Sequence, residues 1–95
     1  MITQHSDPSG VLGTFVLETG GKEMGYLSYA LPDDGEMVVD FVQVDPSLRG
    51  KGRAVELIRT AVEWARAHDR KITPTCSYAR AVMRRTAEFH DVLAP

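Results

Sequence analysis

The stretch Val42-Gln43-Val44-Asp45-Pro46-Ser47-Leu48-Arg49-Gly50-Lys51-Gly52-Arg53-Ala54 decides how this chain is read. An apolar strand ends at Val44, a loop rich in glycine and basic residues follows, and a helical pattern begins at Ala54. Such a junction gathers amides that lack helical acceptors at the positive end of a helix dipole. Arg49, Lys51 and Arg53 add three cations. Together these features form an anion site, most naturally for phosphate. The plainer alternative is a solvated charge run. The interleaving with Gly50 and Gly52, directly after an apolar strand, favours phosphate contact.

Downstream, Ala54, Leu57, Ile58, Ala61, Val62 and Ala65 keep one face of a helix without a miss. The spacing predicts a helix from Gly52 to His68. Lys71 to Cys76 reads as a short strand, with Pro74 marking an edge or an irregularity. Ser77 is the expected N-cap of a helix through Arg85. A last helical stretch is predicted over Ala87 to Leu93.

Upstream, the chain reads as strands. Leu12 to Thr19 closes on Gly20-Gly21, a hairpin signal. Glu23 to Leu31 ends at the turn Pro32-Asp33-Asp34-Gly35. Glu36 to Val44 is nearly continuously apolar at its centre, as in a strand buried on both faces. The order is β-β-β-α-β-α, an α/β (α+β) fold with a mixed antiparallel and parallel sheet and helices packed on it. The unit over residues 36–76 should place its two strands parallel.

At 95 residues the chain is expected to be a single domain, residues 1–95. A chain this short buries only about 60–65% of its unfolded surface, so its core is thin. Apolar residues make up 43% and charged residues 25%, an ordinary globular balance. Net charge is −2, but it is unevenly spread: residues 1–47 carry −7 and residues 48–95 carry +5. The positive half begins at the glycine loop. It lacks aromatic interleaving and zinc-finger spacing, which argues against nucleic acid. Cys76 is the one cysteine; it excludes an internal disulfide and fits a reducing, cytoplasmic setting. Residues 1–15 lack the pattern of a signal peptide. No apolar run approaches membrane-spanning length. His5, His68 and His90 are scattered and suggest no metal site.

Two phosphate motifs fail at the loop. A P-loop requires glycine where Asp45 stands and serine or threonine where Gly52 stands. A dinucleotide fingerprint requires a third glycine where Val55 stands. The segment Arg49-Gly50-Lys51-Gly52-Arg53-Ala54 instead resembles the acetyl-CoA loop of the GCN5-related N-acetyltransferases, Arg/Gln-x-x-Gly-x-Gly/Ala. Further matches are Val44-Asp45-Pro46, Pro74-Thr75-Cys76-Ser77-Tyr78 and Glu88-Phe89 to Leu93. With these, nearly the whole chain resembles the small one-domain acetyltransferases of the YjdJ type. The resemblance implies the acyl-CoA N-acyltransferase fold, with two parallel strands splayed around CoA. It implies acetyl-CoA as the donor and acetyl transfer to an amine, either a small molecule or a protein lysine. The pantetheine arm would lie along Val42, Gln43 and Val44. The pyrophosphate would lie against Arg49, Gly50, Lys51, Gly52, Arg53 and Ala54. Glycine at 50 and 52 would let phosphate approach the backbone closely.

One departure concerns the proton donor. Many relatives carry a tyrosine part-way along the helix after the Cys76 strand, where this chain has Ala81-Val82-Met83-Arg84. Tyr78 lies earlier; it either lines the thiol end of the cleft or belongs to the core, and the core is the expectation. Candidate bases are Asp40, His90 or a water chain. Cys76, at a strand end before a helix N-terminus, is the candidate catalytic residue, as an acetyl-carrying nucleophile or an acid/base beside the thioester. The other reading of Cys76 is a small buried apolar residue. Arg80, Arg84 and Arg85 either reach the ribose phosphate of CoA or form a solvated helix face. Trp64 and Met83 are expected to pack. The alternative to catalysis is a CoA-binding or protein-interaction module with the same fold.

Overall fold

The computed structural model describes residues Met1–Pro95. Five strands form one sheet in sequence order: β1 (Ile2–Ser6), β2 (Leu12–Thr19), β3 (Lys22–Ala30), β4 (Glu36–Val44) and β5 (Lys71–Pro74). The first four are antiparallel neighbours, and β4 pairs β5 in parallel. Helix α1 (Arg53–Ala67) makes the crossover between β4 and β5, and α2 (Ser77–Arg85) follows β5. The mixed sheet with helices on it is the fold class expected from the sequence. No helix is long and apolar enough to cross a membrane.

The β2–β3 hairpin turns on Gly20 and Gly21, with φ of +60° and +79°. Side chains at both positions would be strained there, and two left-handed residues match the strand twist. In the β3–β4 turn, Asp33 accepts from the amide of Gly35 at 2.9 Å. Arg70 donates to the carbonyls of Asp33 and Glu36 and so fastens that turn to the start of β5.

The apolar stripe of α1 meets one face of the sheet. Leu57, Ile58, Ala61, Val62 and Ala65 join Phe15, Leu17, Leu27, Tyr29, Met37, Val39 and Ile72 in one buried cluster. Ala79, Val82 and Met83 of α2 complete it with Phe89 and Val92. Trp64 stacks on His68, with ring centroids 4.0 Å apart, so it packs as expected.

Four local expectations need correction. The chain adds β1, a largely exposed edge strand whose sequence ITQHS carries little apolar signal. β4 is buried on one face only: Met37 and Val39 are covered, while Phe41 is 45% exposed, because no helix lies on the second face. Cys76, not Ser77, holds the cap position of α2, and it makes no side-chain cap hydrogen bond. The segment 87–93 is a single 3-10 turn, Ala87–Phe89, after which the chain runs back along β5. There Ile72 exchanges hydrogen bonds with Val92 and Ala94, which satisfy the outer edge of β5 better than a further helical turn would.

Two bidentate ion pairs hold that closing segment on α1. Arg59 grips Glu88 at 2.9 and 3.0 Å, and Arg66 grips Asp91 at 2.7 Å through two nitrogens. The guanidinium groups hold both carboxyls below their ordinary values of 4.5 and 3.8. A carboxyl depressed in the folded state stabilises above its unfolded value and loses that contribution as pH falls through the folded one. Thermal melts of the wild type and of an Arg59→Ala/Arg66→Ala variant should therefore differ at neutral pH and converge as pH falls below about 4. A gap that stays constant once pH is well below 3.8, where both carboxyls are protonated in either state, would remove the clamp from the stability account.

Candidate anion cleft

The site begins where β4 and β5 part. Their register runs from Glu36 opposite Lys71 to Val39 opposite Pro74 and stops. The carbonyl of Val39 takes the amides of both Thr75 and Cys76, at 3.0 and 3.3 Å. Beyond this fork, β4 continues to Val44 with β3 as its only neighbour. Asp45 donates to Met24 on β3, and antiparallel pairing alternates residue by residue. The backbone groups of Val42 and Val44 therefore face away from β3, into the gap that the parting leaves.

The loop after β4 is built on Asp45. Its carboxylate accepts from the amide of Ser47 at 2.9 Å, which caps the short turn Pro46–Leu48. The Ser47 amide and hydroxyl hold this carboxyl below its usual range. Gly50 and Gly52 follow with φ of +76° and +73°. A Cβ at either position would meet nothing within 4 Å. Within the protein, glycine is thus required there by backbone conformation rather than by crowding.

Helix α1 starts immediately, and its first bond inside the turn is Glu56 to the carbonyl of Gly52, at 3.0 Å. The amides of Gly50, Gly52, Arg53, Ala54 and Val55 donate to no group of the protein. Arg53 reaches Glu56 at 3.4 Å through one terminal nitrogen, while its Nε is buried without a partner. These donors border one cleft of about 610 Å³. Its donor set is that of an anion site, and its size is that of a ligand pocket.

Of the residues predicted to hold CoA, the cleft brings together Val42, Gln43, Val44, Arg49, Gly50, Gly52, Arg53 and Ala54. Lys51 is exposed outside its lining. Leu48 and Val55 add apolar walls that the motif did not name. Tyr78 corrects the expectation of a core residue: it is 42% exposed and lines the cleft. It stands one position before the apolar stripe of Ala79, Val82 and Met83, and that phase of the helix turns it outward.

Cys76 is half-buried against the core at the fork and does not line the cleft. Arg80 turns back to the carbonyls of Pro74 and Thr75, and with Arg84 it borders a separate hollow; Arg85 is exposed. His90 shares a hydrogen bond with the carbonyl of Arg84 at 2.8 Å, away from the cleft. Asp40 lies one residue past Val39 and accepts from Ser28 Oγ at 2.6 Å.

Known structures share this fold. A GCN5-like protein from Staphylococcus aureus superposes with a TM-score of 0.78 over 99% of this chain and 87% of its own, at 24% identity. Ribosomal-protein-alanine N-acetyltransferase from Brucella melitensis biovar Abortus gives 0.66 over 90% of this chain and 65% of its own, at 19% identity. A tandem protein of the clavulanic acid biosynthesis pathway is 38% identical over 66% of this chain, with a TM-score of 0.60, but only 20% of its own length is covered. No curated protein matches the sequence. The family model described as GCN5-related N-acetyl-transferase matches residues 14–92, which run from within β2 through the fork, the glycine loop and both helices. A parted β4–β5 pair, a glycine loop with free amides and a family match across them lead to one assignment: the chain belongs to the GCN5-related N-acetyltransferases.

Proposed function

We propose that residues 1–95 act as one minimal domain that moves an acetyl group from acetyl-CoA to an amine. The observation that carries this reading is the run of unpartnered amides at Gly50 and from Gly52 to Val55, beside the free edge of β4. The amides, the start of α1 and the guanidinium groups of Arg49 and Arg53 suit the pyrophosphate of CoA. The buried Nε of Arg53 would gain the acceptor it lacks. Lys51 would act from outside the cleft as a long-range charge. The outward-facing backbone groups of Val42 and Val44, with the side of Gln43, would bond the pantetheine arm as a further strand would.

Acetyl-CoA supplies an acyl carbon activated as a thioester. The arm, held along β4, directs that carbon toward the fork at Val39. An amide of β4 polarises the carbonyl, and preorganised donors of this kind contribute strongly to acyl transfer. As the amine nitrogen bonds to the acyl carbon, the carbon–sulfur bond breaks and sulfur needs a proton. Tyr78 carries the one hydroxyl side chain lining the cleft and is assigned as that donor. This removes the need for a tyrosine within Ala81-Val82-Met83-Arg84. Cys76, at the root of the fork, remains the candidate nucleophile for a two-step route. Its thiolate would take the acetyl group, release CoA and pass the acetyl to the amine.

Calorimetric titration with acetyl-CoA should give micromolar binding to the wild type. Gly52→Trp and Gly50→Glu should lose it while remaining folded by circular dichroism; retained affinity in either variant overturns the cradle. Tyr78→Phe should keep that affinity and lower kcat by about a hundredfold, the usual scale for one acid–base group. An unchanged kcat would remove Tyr78 from the chemistry. Intact mass after mixing with acetyl-CoA decides the route. An acetyl adduct absent from Cys76→Ala supports the covalent path, and a wild type without adduct whose turnover survives Cys76→Ala leaves direct transfer.

A further inference from the structure

We propose that Asp45 is the positioning residue of the donor cleft: its carboxylate, as a hydrogen-bond acceptor rather than as a charge, holds the glycine loop in the shape that takes a pyrophosphate. The inference rests on the donor cleft proposed above.

A carboxylate carries the wrong sign for the mouth of an anion site, yet this one stands four residues before Arg49. Its bonds show what it does there. The amide of Asp45 donates to the carbonyl of Met24 on β3 at 2.7 Å. The carbonyl of Asp45 accepts from Leu48 at 2.9 Å, and the carboxylate accepts from Ser47 at 2.9 Å. One residue therefore joins the end of the sheet to the first turn of the loop.

Beyond Asp45 the loop is held loosely. Pro46 accepts from Arg49 at 3.2 Å and Leu48 from Lys51 at 3.3 Å, at the long end of the backbone range. Gly50 and Gly52 follow in left-handed backbone. Packing does not fix this segment, because no residue from Asp40 to Glu56 is buried. Its shape depends on hydrogen bonds, and the shortest of them are those of Asp45.

The charge of the carboxylate is offset where it stands. The Ser47 amide and hydroxyl do most of this, and Lys22, the single base among residues 1–47, adds to it from the start of β3. Asp45 forms no ion pair with Arg49, Lys51 or Arg53, so the cations of the loop stay free for a ligand.

Replacing the side chain leaves both backbone bonds of Asp45 in place and removes only the bond to Ser47. Residues 46–52 can then sample other turns without any loss from the core. Apparent affinity falls by the fraction of time the binding shape is populated. A cap of this kind changes that population by a factor of about five. Asparagine keeps the accepting oxygen and drops the charge, so one substitution separates the two roles that the side chain could have.

The test follows backbone amide shifts of the intact chain in titrations with CoA and, separately, with pantetheine, which carries no phosphate. In the wild type CoA should move the amides of Gly50 to Ala54, which checks the donor cleft alone. Asp45→Ala should weaken CoA about fivefold, leave pantetheine binding as it is and leave the thermal midpoint unchanged. Asp45→Asn should bind CoA at least as tightly as the wild type, because the cap is kept and an opposing charge is gone. In the free protein, relaxation rates should show residues 46–52 more mobile in Asp45→Ala than in the wild type, and equally ordered once CoA saturates both. If Asp45→Asn loses as much affinity as Asp45→Ala, the charge matters rather than the cap, and the inference is overturned. Equal loss of CoA and pantetheine, or a lowered thermal midpoint, makes Asp45 a structural residue of the sheet end and overturns it as well. An Asp45→Ala that binds CoA like the wild type removes the positioning role and leaves the donor cleft standing. If CoA moves no amide of the wild-type loop, the donor reading fails, and the role of Asp45 falls with it.

Discussion

The carbonyl of Val39 is the point on which the molecule turns. It accepts two consecutive amides, Thr75 and Cys76, from a strand that ends at a residue without one, Pro74. Proline cannot extend the ladder, and an extra residue at Asp40 bends β4 at the same level. The two strands must therefore separate there. Separation leaves the backbone of Val42 and Val44 without a neighbour on one side and starts α2 with Tyr78 facing the gap. Continued pairing to Val44 would satisfy those groups and fill the cleft with β5. Unsatisfied backbone at the end of β4 and at the start of α1 is tolerated because both border solvent in a cleft, where water or a ligand supplies the partner.

A sheet of five strands with helices on one face forces a second choice. Only 20 of 95 residues are buried, and none of them is polar or charged, so packing alone leaves the periphery loosely held. The closing segment is fixed instead by the two arginine pairs and by the bonds of Ile72 to Val92 and Ala94. Exposed pairs of this kind are screened by solvent and stabilise little by themselves, yet the segment adds Phe89 and Val92 to the core. The pairs hold in place what the apolar contacts stabilise. With β1 as a thin outer strand, the other sheet face stays uncovered.

The features that were legible in the sequence are those with a strict physical requirement. The period of Ala54, Leu57, Ile58, Ala61, Val62 and Ala65 admits one face, and the helix follows it from Arg53 to Ala67. Gly20-Gly21 and Gly50-x-Gly52 occupy left-handed backbone, so their positions are fixed by conformation. Features that depend on partners distant in sequence were hidden. Ile2–Ser6 becomes a strand only because β2 lies beside it, and the apolar centre of β4 is one-sided only because no helix arrives on its second face. Residues 87–93 carry a spacing that suits a helix, but Ile72 offers their backbone a better match. Tyr78 was legible in part: its phase against Ala79, Val82 and Met83 turns it from the core once α2 is known to begin at Ser77.

Charge shows how far composition alone reaches. The basic half of the sequence holds ten lysines and arginines, but most are engaged locally. Arg59 and Arg66 are neutralised by Glu88 and Asp91, while Arg70 and Arg80 donate to nearby carbonyls. Arg49 and Lys51 at the glycine loop form no ion pair, and Arg53 is only loosely matched by Glu56 at 3.4 Å. The field at the loop is thus set by a few unpaired cations and the α1 dipole, not by the net charge of its half. On the strands the sign reverses: Asp7 and Asp40 stand in a hollow that no lysine or arginine lines. The two fields lie on either side of the bulge in β4, a few residues apart along one strand. Solvent ions screen each field within about 8 Å at physiological salt, so each acts mainly on what enters its own hollow. The loop therefore favours an anion and the hollow a cation, at two places along the same strand.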